Sequence, residues 1–227
     1  LSVGTNSGNG LEIRTGTSNS LSVTSNGGGV FMEHIPGAND DSISVTLNAA
    51  GGALSFTSNS DVTLTDIDAF GAAAITVTAD DGRDLTVLVG DIDASAATVT
   101  GTVGDANVDI QFNSDLTNSS GSLTVVTGGT GNITFGADVS ATSLTATAGT
   151  SGILLGANDT VALTASTGDL TLASDVDSGA NTDLTLSATN GTVSIQSIGG
   201  STATSINDLT VSASTLTLNG NITTENA

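Results

Sequence analysis

The sequence predicts an all-β fold, a right-handed parallel β-helix in which short three-sided coils stack into a rod. Three observations predict it. Units of two aliphatic residues around a small polar one recur about every 23 residues. These units are rich in Thr, Val, Ile and Leu, which favour strands. The aromatic fraction is only 2%, with no Trp or Tyr, so the interior must be built from many small, similar aliphatic layers.

The repeated units form two interleaved series. In each unit, the alternation of apolar and polar residues places both aliphatic side chains on the buried face of a strand. The units of the first series begin at Val62, Leu85, Val108, Ile133, Ile153, Leu170, Val193 and Leu216. Those of the second series begin at Leu54, Ile75, Ala97, Leu123, Leu144, Val161, Leu184 and Leu209. The two series keep in step, which predicts two strands in every coil.

A third apolar position and a short corner complete each coil. The third position is occupied by Ile67, Ile92, Leu116, Val139, Val176 and Ile222. The step from the second series to the first usually carries Gly or Asn, as in Asn190-Gly191, and these residues tolerate the backbone of a tight corner. Three strands per coil predict a three-sided solenoid of about ten coils. The competing fold is a β-sandwich, whose hairpins would not keep two series in step.

The whole chain, residues 1–227, is predicted to form a single rod. Residues 1–53 carry the same apolar units, but their spacing does not assign them to a face. Residues 33–42 include the single His34 and the single Pro36, and we expect a looped-out insertion there. We expect no signal peptide within residues 1–227, and the longest apolar stretch, 69–77, is too short to span a bilayer.

The charge balance is strongly acidic and limits the partners. The chain has 23 acidic residues, only two basic ones (Arg14 and Arg83), and a net charge of −21. Because phosphate binding needs Lys and Arg, we expect neither nucleic acid nor an anionic membrane surface as a partner. The negative charge would attract cations, and it also keeps a β-rich chain soluble.

The residues that catalysis requires are scarce. The chain has no Lys for a phosphate-binding loop and no Cys for a zinc site, and a catalytic triad would depend on His34 alone. A polysaccharide-active enzyme on a β-helix is an alternative, but such enzymes combine carboxylates with basic residues and aromatic sugar platforms. We therefore expect no enzymatic activity.

Aspartates recur beside the third apolar position. Asp66-Ile67-Asp68 and Asp91-Ile92-Asp93 place two carboxylates on the outside of one strand, about 7 Å apart. Calcium prefers several carboxylate and carbonyl ligands, so these stacked carboxylates predict a calcium site. The predicted ligands are Asp66, Asp68, Asp91, Asp93, Asp115 and Asp138. The alternative is that each Asp accepts hydrogen bonds from backbone N–H groups at a corner and otherwise faces water.

A column of threonines runs through the second series. Its members are Thr76, Thr98, Thr124, Thr145, Thr185 and Thr210, with Ala162 as an interruption. A regular Thr array on a flat β-helix is typical of ice-binding solenoids, which makes ice binding an alternative function. Thr also suits any exposed strand position.

The repeats resemble those of filamentous-haemagglutinin-type adhesins and other large bacterial surface proteins built from β-strand repeats. The resemblance is carried by Gly168-Asp169-Leu170-Thr171-Leu172, by the run from Asn190 to Ile195, by Ile198-Gly199-Gly200-Ser201 and by the closing stretch from Leu216 to Thr224. It implies secretion by a bacterium, display on the cell surface or in a biofilm matrix, and a role as a stalk, adhesive rod or fibre subunit. The expected partners are identical subunits or flanking repeats, end to end.

Overall fold

A computed structural model describes most of the chain. The described residues are 11–14, 20–26, 30–35, 42–50, 54–58, 61–70, 74–79, 85–87, 96–101, 109–119, 121–157, 160–178, 180–199 and 206–224. Within these ranges the regular structure is entirely β, and no helix there is long and apolar enough to cross a membrane.

Short strands follow one another along the chain. In order they are β1 (Leu11–Arg14), β2 (Ser20–Asn26), β3 (Val30–Ile35), β4 (Ser42–Ala50), β5 (Leu54–Ser58), β6 (Asp61–Phe70), β7 (Ala74–Ala79), β8 (Leu85–Val87), β9 (Ala96–Gly101), β10 (Ile110–Phe112), β11 (Leu116–Asn118), β12 (Ser122–Val126), β13 (Ile133–Phe135), β14 (Val139–Ala141), β15 (Leu144–Thr147), β16 (Ile153–Leu155), β17 (Thr160–Ala165), β18 (Leu170–Leu172), β19 (Val176–Ser178), β20 (Asp183–Ile195) and β21 (Leu209–Leu218).

The strands stack in parallel on three faces. Face A comprises β1, β3, β5, β7, β9, β12, β15, β18 and the second parts of β20 and β21, 193–195 and 216–218. Face B comprises β2, β4, β6, β8, β10, β13, β16 and β19, and it continues through bridges at Ile198 and Ile222. Face C comprises β11, β14, β17 and the first parts of β20 and β21, 184–188 and 209–213. Long strands such as β20 bend around a corner and belong to two faces.

Five successive coils are described between Ile110 and Ile222. On face B, Ile110 aligns with Ile133, and the column then passes through Ile153, Val176, Ile198 and Ile222. With strands about 4.8 Å apart, these five coils extend about 24 Å along the axis. The predicted parallel β-helix is confirmed, and the parallel pairing excludes the antiparallel β-sandwich.

The interior is a stack of aliphatic layers. Within strands such as β12 and β15, buried and half-buried residues alternate strictly, which places every second side chain inside. The residues expected to point inward do so, since Ile110, Leu170 and Leu186 are 0% exposed and Ile195 is 1% exposed. Leu85 lies in β8, whose side chains are outside the described set. Phe112 and Phe135 stack in neighbouring coils, with ring centroids 5.2 Å apart.

Two features of the predicted register are wrong. The first-series unit predicted at 108–110 is displaced by two residues, because Ile110 is the residue that aligns with Leu85 and with Ile133. The second error concerns two short steps. Each series contains one unusually short step, from Leu144 to Val161 in the second series and from Ile153 to Leu170 in the first. In the structure, Leu144 aligns instead with Leu170, and Ile153 aligns with Val176. Every later unit is therefore shifted by one face. The unit at 161–163 lies on face C, that at 170–172 on face A, and Val176 on face B.

The strand pairing also assigns the N-terminal units to faces. Leu11 aligns with Met32 on face A, and Leu21 aligns with Val45 on face B. Of the insertion predicted at 33–42, only the two ends are described, and both lie in strands. Residues 33–35 belong to β3, and Val30 aligns directly with Leu54 in the next coil. Residue 42 begins β4, and residues 36–41 lie outside the described ranges, so the insertion stays a prediction.

Two glycines show why the corners need this residue. At Gly191, in the bend of β20, a Cβ atom would lie 2.1 Å from the carbonyl oxygen of Gly168 in the coil beside it. At Gly199, φ is +70°, and a Cβ atom would lie 2.3 Å from the oxygen of Thr223. Any side chain at these positions would force the stacked corners apart.

Candidate functional site

The predicted calcium ligands fall into three groups in the structure. Asp115 and Asp138 are fully described and exposed, each directly before a strand of face C. Asp66 and Asp68 lie in β6, where the register aligns them with Thr46 and Asn48 of β4. Asp91 and Asp93 lie outside the described residues.

Asp115 and Asp138 hold the backbone of the coil that follows each of them. The N–H of Asp138 donates a hydrogen bond to Oδ1 of Asp115 at 3.2 Å. The N–H of Ala162 donates in turn to Oδ1 of Asp138 at 2.8 Å. In both contacts the donor is the residue that aligns with the Asp one coil later. The carboxylates thus act as bridges between coils, as the alternative to calcium binding predicts for corner aspartates.

The same bridge recurs at corners elsewhere along the rod. A carboxylate that accepts a backbone N–H forms a charge-assisted bond, which is stronger than a bond between neutral groups. The further examples are Asp109 with the N–H of Asn132 (3.0 Å), Asp169 with that of Thr192 (2.7 Å) and Asp183 with that of Asp208 (3.2 Å). We call these contacts, with those of Asp115 and Asp138, the aspartate bridges.

The aligned residue one coil later is often uncharged. Asn132, Ala162 and Thr192 follow Asp109, Asp138 and Asp169 in this way. Asp175 instead accepts a hydrogen bond from the hydroxyl group of Ser197. Long columns of stacked like charges, which would destabilise a sheet, are thereby avoided at these corners.

Of the six predicted calcium ligands, only Asp115 and Asp138 have described side chains. Within the described part of the chain, no three acidic or histidine side chains come close enough together to hold a metal ion. Calcium usually takes about six to eight oxygen ligands. A calcium site therefore depends on the side chains of Asp66, Asp68, Asp91 and Asp93, and it stays a prediction.

A shallow groove of about 280 Å³ runs along face C beside the two aspartates. Its polar lining consists of hydroxyl groups and carboxylates, with no His, Lys or Arg. The lining residues are Asp115, Leu116, Thr117, Asp138, Val139, Ser140, Ala162 and Thr164. Proton transfer in this groove would rest on two exposed carboxylates, and both accept structural hydrogen bonds between coils.

The register changes the membership of the threonine column. On face A, Thr145 aligns with Thr171, then with Ser194 and Thr217, so Ala162 no longer interrupts it. Ala162 belongs to face C, together with Thr185 and Thr210. Sequence spacing alone could not assign Ala162 to face C, because each face uses the same apolar–polar–apolar unit.

The last described coil carries exposed apolar side chains. Leu216 is 46% exposed, Leu218 47% and Ile222 37%, although each continues an inward-facing column. Their equivalents one coil earlier include Val193 and Ile198, which are both 0% exposed. The difference arises because each coil covers the aliphatic side chains of its neighbour.

Comparison with known proteins yields no relative. No protein-family model, no curated protein and no solved structure matches this chain.

Proposed function

We propose that this chain is a structural or adhesive segment of a secreted bacterial surface protein, or a subunit of an extracellular fibre. The observation that carries the proposal is the way in which successive coils are joined. Each coil supplies its neighbour with aliphatic core, a ladder of backbone hydrogen bonds and the aspartate bridges. Stability in such a stack accumulates from coil to coil, as a rod or stalk requires.

The surface chemistry supports the same role. Charged side chains at 109, 115, 138, 169 and 183 lie at corners and contact the next coil. The acidic surface suits a chain exposed to water outside the cell, on a surface or in a matrix. We expect no turnover on uronic-acid polymers or other glycans.

The last described coil favours end-to-end contact with another coil of the same kind. Leu216, Leu218 and Ile222 present half-exposed aliphatic groups, and the carboxylate of Asp208 lies where earlier aspartates accept an N–H. A further coil of the same pattern, from an identical subunit or from flanking repeats, would cover these groups. An exposed strand edge also offers unpaired N–H and C=O groups to such a coil.

Sedimentation velocity and negative-stain microscopy of the purified chain test the proposal. We expect rod-shaped particles whose association rises with concentration, and we expect Leu218→Asp to reduce that association. Thr217→Asp is the matched control, because it introduces the same charge on the outward side of the same strand. Compact particles that remain monomeric at high concentration, or equal effects of both substitutions, would contradict end-to-end assembly.

A further inference from the structure

Face A carries an unbroken column of hydroxyl residues over successive strands. From β5 to β21 the aligned residues are Ser55, Thr76, Thr98, Thr124, Thr145, Thr171, Ser194 and Thr217. In β5 to β15 a second column aligns beside it, two positions further along each strand: Thr57, Thr78, Thr100, Val126 and Thr147. Face A thus combines two repeats, about 4.8 Å between strands and about 6.8 Å along each strand.

From Thr124 onward, where the side chains of this column are described, its hydroxyl groups are available to solvent. Thr124, Thr145 and Thr171 are partly exposed, and Thr217 is exposed. Their hydroxyl groups, like that of Ser194, make no hydrogen bond with the described part of the protein. Hydroxyl groups at the corners behave differently, since those of Ser174 and Thr182, among others, bond to backbone oxygens. Over its described side chains, the hydroxyl column of face A therefore leaves its hydroxyl groups to water.

From β5 onward, the strands of face A are also free of charge, whereas β1 and β3 of the same face carry Glu12, Arg14 and Glu33. In a chain with a net charge of −21, no Asp, Glu, Lys or Arg occurs in β5, β7, β9, β12, β15 and β18, or in 193–195 and 216–218. Charged groups bind water tightly in their own shells, whereas an uncharged array lets neighbouring hydroxyl groups set a regular pattern.

Face C is less regular, although it too carries hydroxyl residues. Its column runs through Thr117, Ser140, Thr164, Ser187 and Ser212, so that most of its members lack the methyl group of Thr. The groove beside Asp115 and Asp138 interrupts the surface of this face. The two faces therefore provide a comparison within one molecule.

We propose that face A binds ice through its hydroxyl column. The repeats of a few ångströms along and across the strands are of the size of those in the ice lattice. Threonine hydroxyl groups would hold water molecules in fixed positions, and the adjacent methyl groups would confine that water to one layer. Because the backbone already fixes the spacing, little order has to be gained when the face meets ice. This activity is separate from the structural role proposed above.

Thermal hysteresis and inhibition of ice recrystallisation test this assignment on the full chain. The face-A variant is Thr124→Tyr combined with Thr145→Tyr, which places bulky rings on the column. The matched control is Thr164→Tyr combined with Ser187→Tyr at equivalent outward positions of face C. Tyrosine is well accepted in exposed strands, and circular dichroism melting of all three proteins verifies the fold.

We expect activity in the unaltered chain, loss of most of it in the face-A variant, and retention in the face-C control. Absence of activity in the unaltered chain would overturn the proposal. So would an equal loss in both variants, or a folded face-A variant with full activity. None of these results bears on rod formation, which microscopy and sedimentation measure separately.

Discussion

At the scale of single residues, the aspartates have a definite structural task. Asp138 and Asp169 are exposed, yet each accepts a backbone N–H from the next coil, at 2.8 and 2.7 Å. Such a contact links residues that are one full coil apart in the sequence. A carboxylate suits the role because it accepts without needing to donate, and its second oxygen stays in water.

Removal of one aspartate bridge should lower stability measurably. We expect Asp138→Ala to reduce the free energy of unfolding by about 1 kcal/mol, because the N–H of Ala162 loses a charge-assisted partner at a solvated site. Urea denaturation followed by circular dichroism measures the change. Asp208→Ala is the control, since this carboxylate bridges to no described coil. An Asp138→Ala midpoint equal to that of the control would contradict the bridging role.

Charge placed in the interior should have a much larger effect than charge on the surface. Leu170 is fully buried, so we expect Leu170→Asp to destabilise the chain by several kcal/mol through an unpaired buried carboxylate. Thr171→Asp, at the next position on the outward side, should change the melting temperature little. Similar melting of the two variants would show that the inward direction of β18 is assigned wrongly.

At the scale of elements, identical strand units occupy all three faces. The unit Leu170-Thr171-Leu172 is on face A and Val161-Ala162-Leu163 is on face C, although both follow the same pattern. The assignment depends on the lengths of the corners between strands. After Ser151 and Gly152, β16 lies on face B, and the chain then passes through face C. It returns to face A at Leu170, which completes the coil that began at Leu144.

Paired cysteines test the register. In the observed register Leu144 aligns with Leu170, whereas the short step in the sequence would align it with Val161. The chain contains no Cys, so introduced thiols have no competitors. Thr145→Cys with Thr171→Cys places two thiols on adjacent parallel strands, where Cα atoms about 5 Å apart permit a disulfide. We expect this pair to oxidise readily, and we expect Thr145→Cys with Ala162→Cys to stay reduced. Mass spectrometry under mild oxidation decides, and the reverse result would contradict the register.

At the scale of the whole molecule, the rod is a sum of contacts between neighbouring coils. A solenoid of this kind has no single centre, so its stability and its surfaces are distributed along the axis. The acidic corners keep the rod soluble, and the strands of face A from β5 onward, which carry no charged residue, provide a regular surface. A calcium ion bound between several coils would also stabilise the whole rod, because it would hold those coils together.

Melting with calcium and with chelator tests the predicted cation site. If Asp66, Asp68, Asp91 and Asp93 bind calcium, the ion at about a hundred times its dissociation constant should add about 2.7 kcal/mol per site. The melting temperature should then rise in the unaltered chain and stay constant when Asp91 and Asp93 are both replaced by Asn. A melting curve indifferent to calcium and chelator would contradict the predicted site.

The sequence by itself determined the fold class, the length of a coil and the side chains that fill the interior, including Ile110, Leu186 and Ile195. These follow from local rules: alternation selects the buried side chains, and a steady period selects a stack. It also indicated Asp115 and Asp138 as residues that precede a strand of the third face. Only the tertiary structure decided the faces of the units after Leu144, the partners of the aspartates and the unbroken hydroxyl column. The physical reason is that all three faces bury the same kind of unit, so the pattern cannot distinguish one face from another. Stacked corners and aligned hydrogen bonds do so.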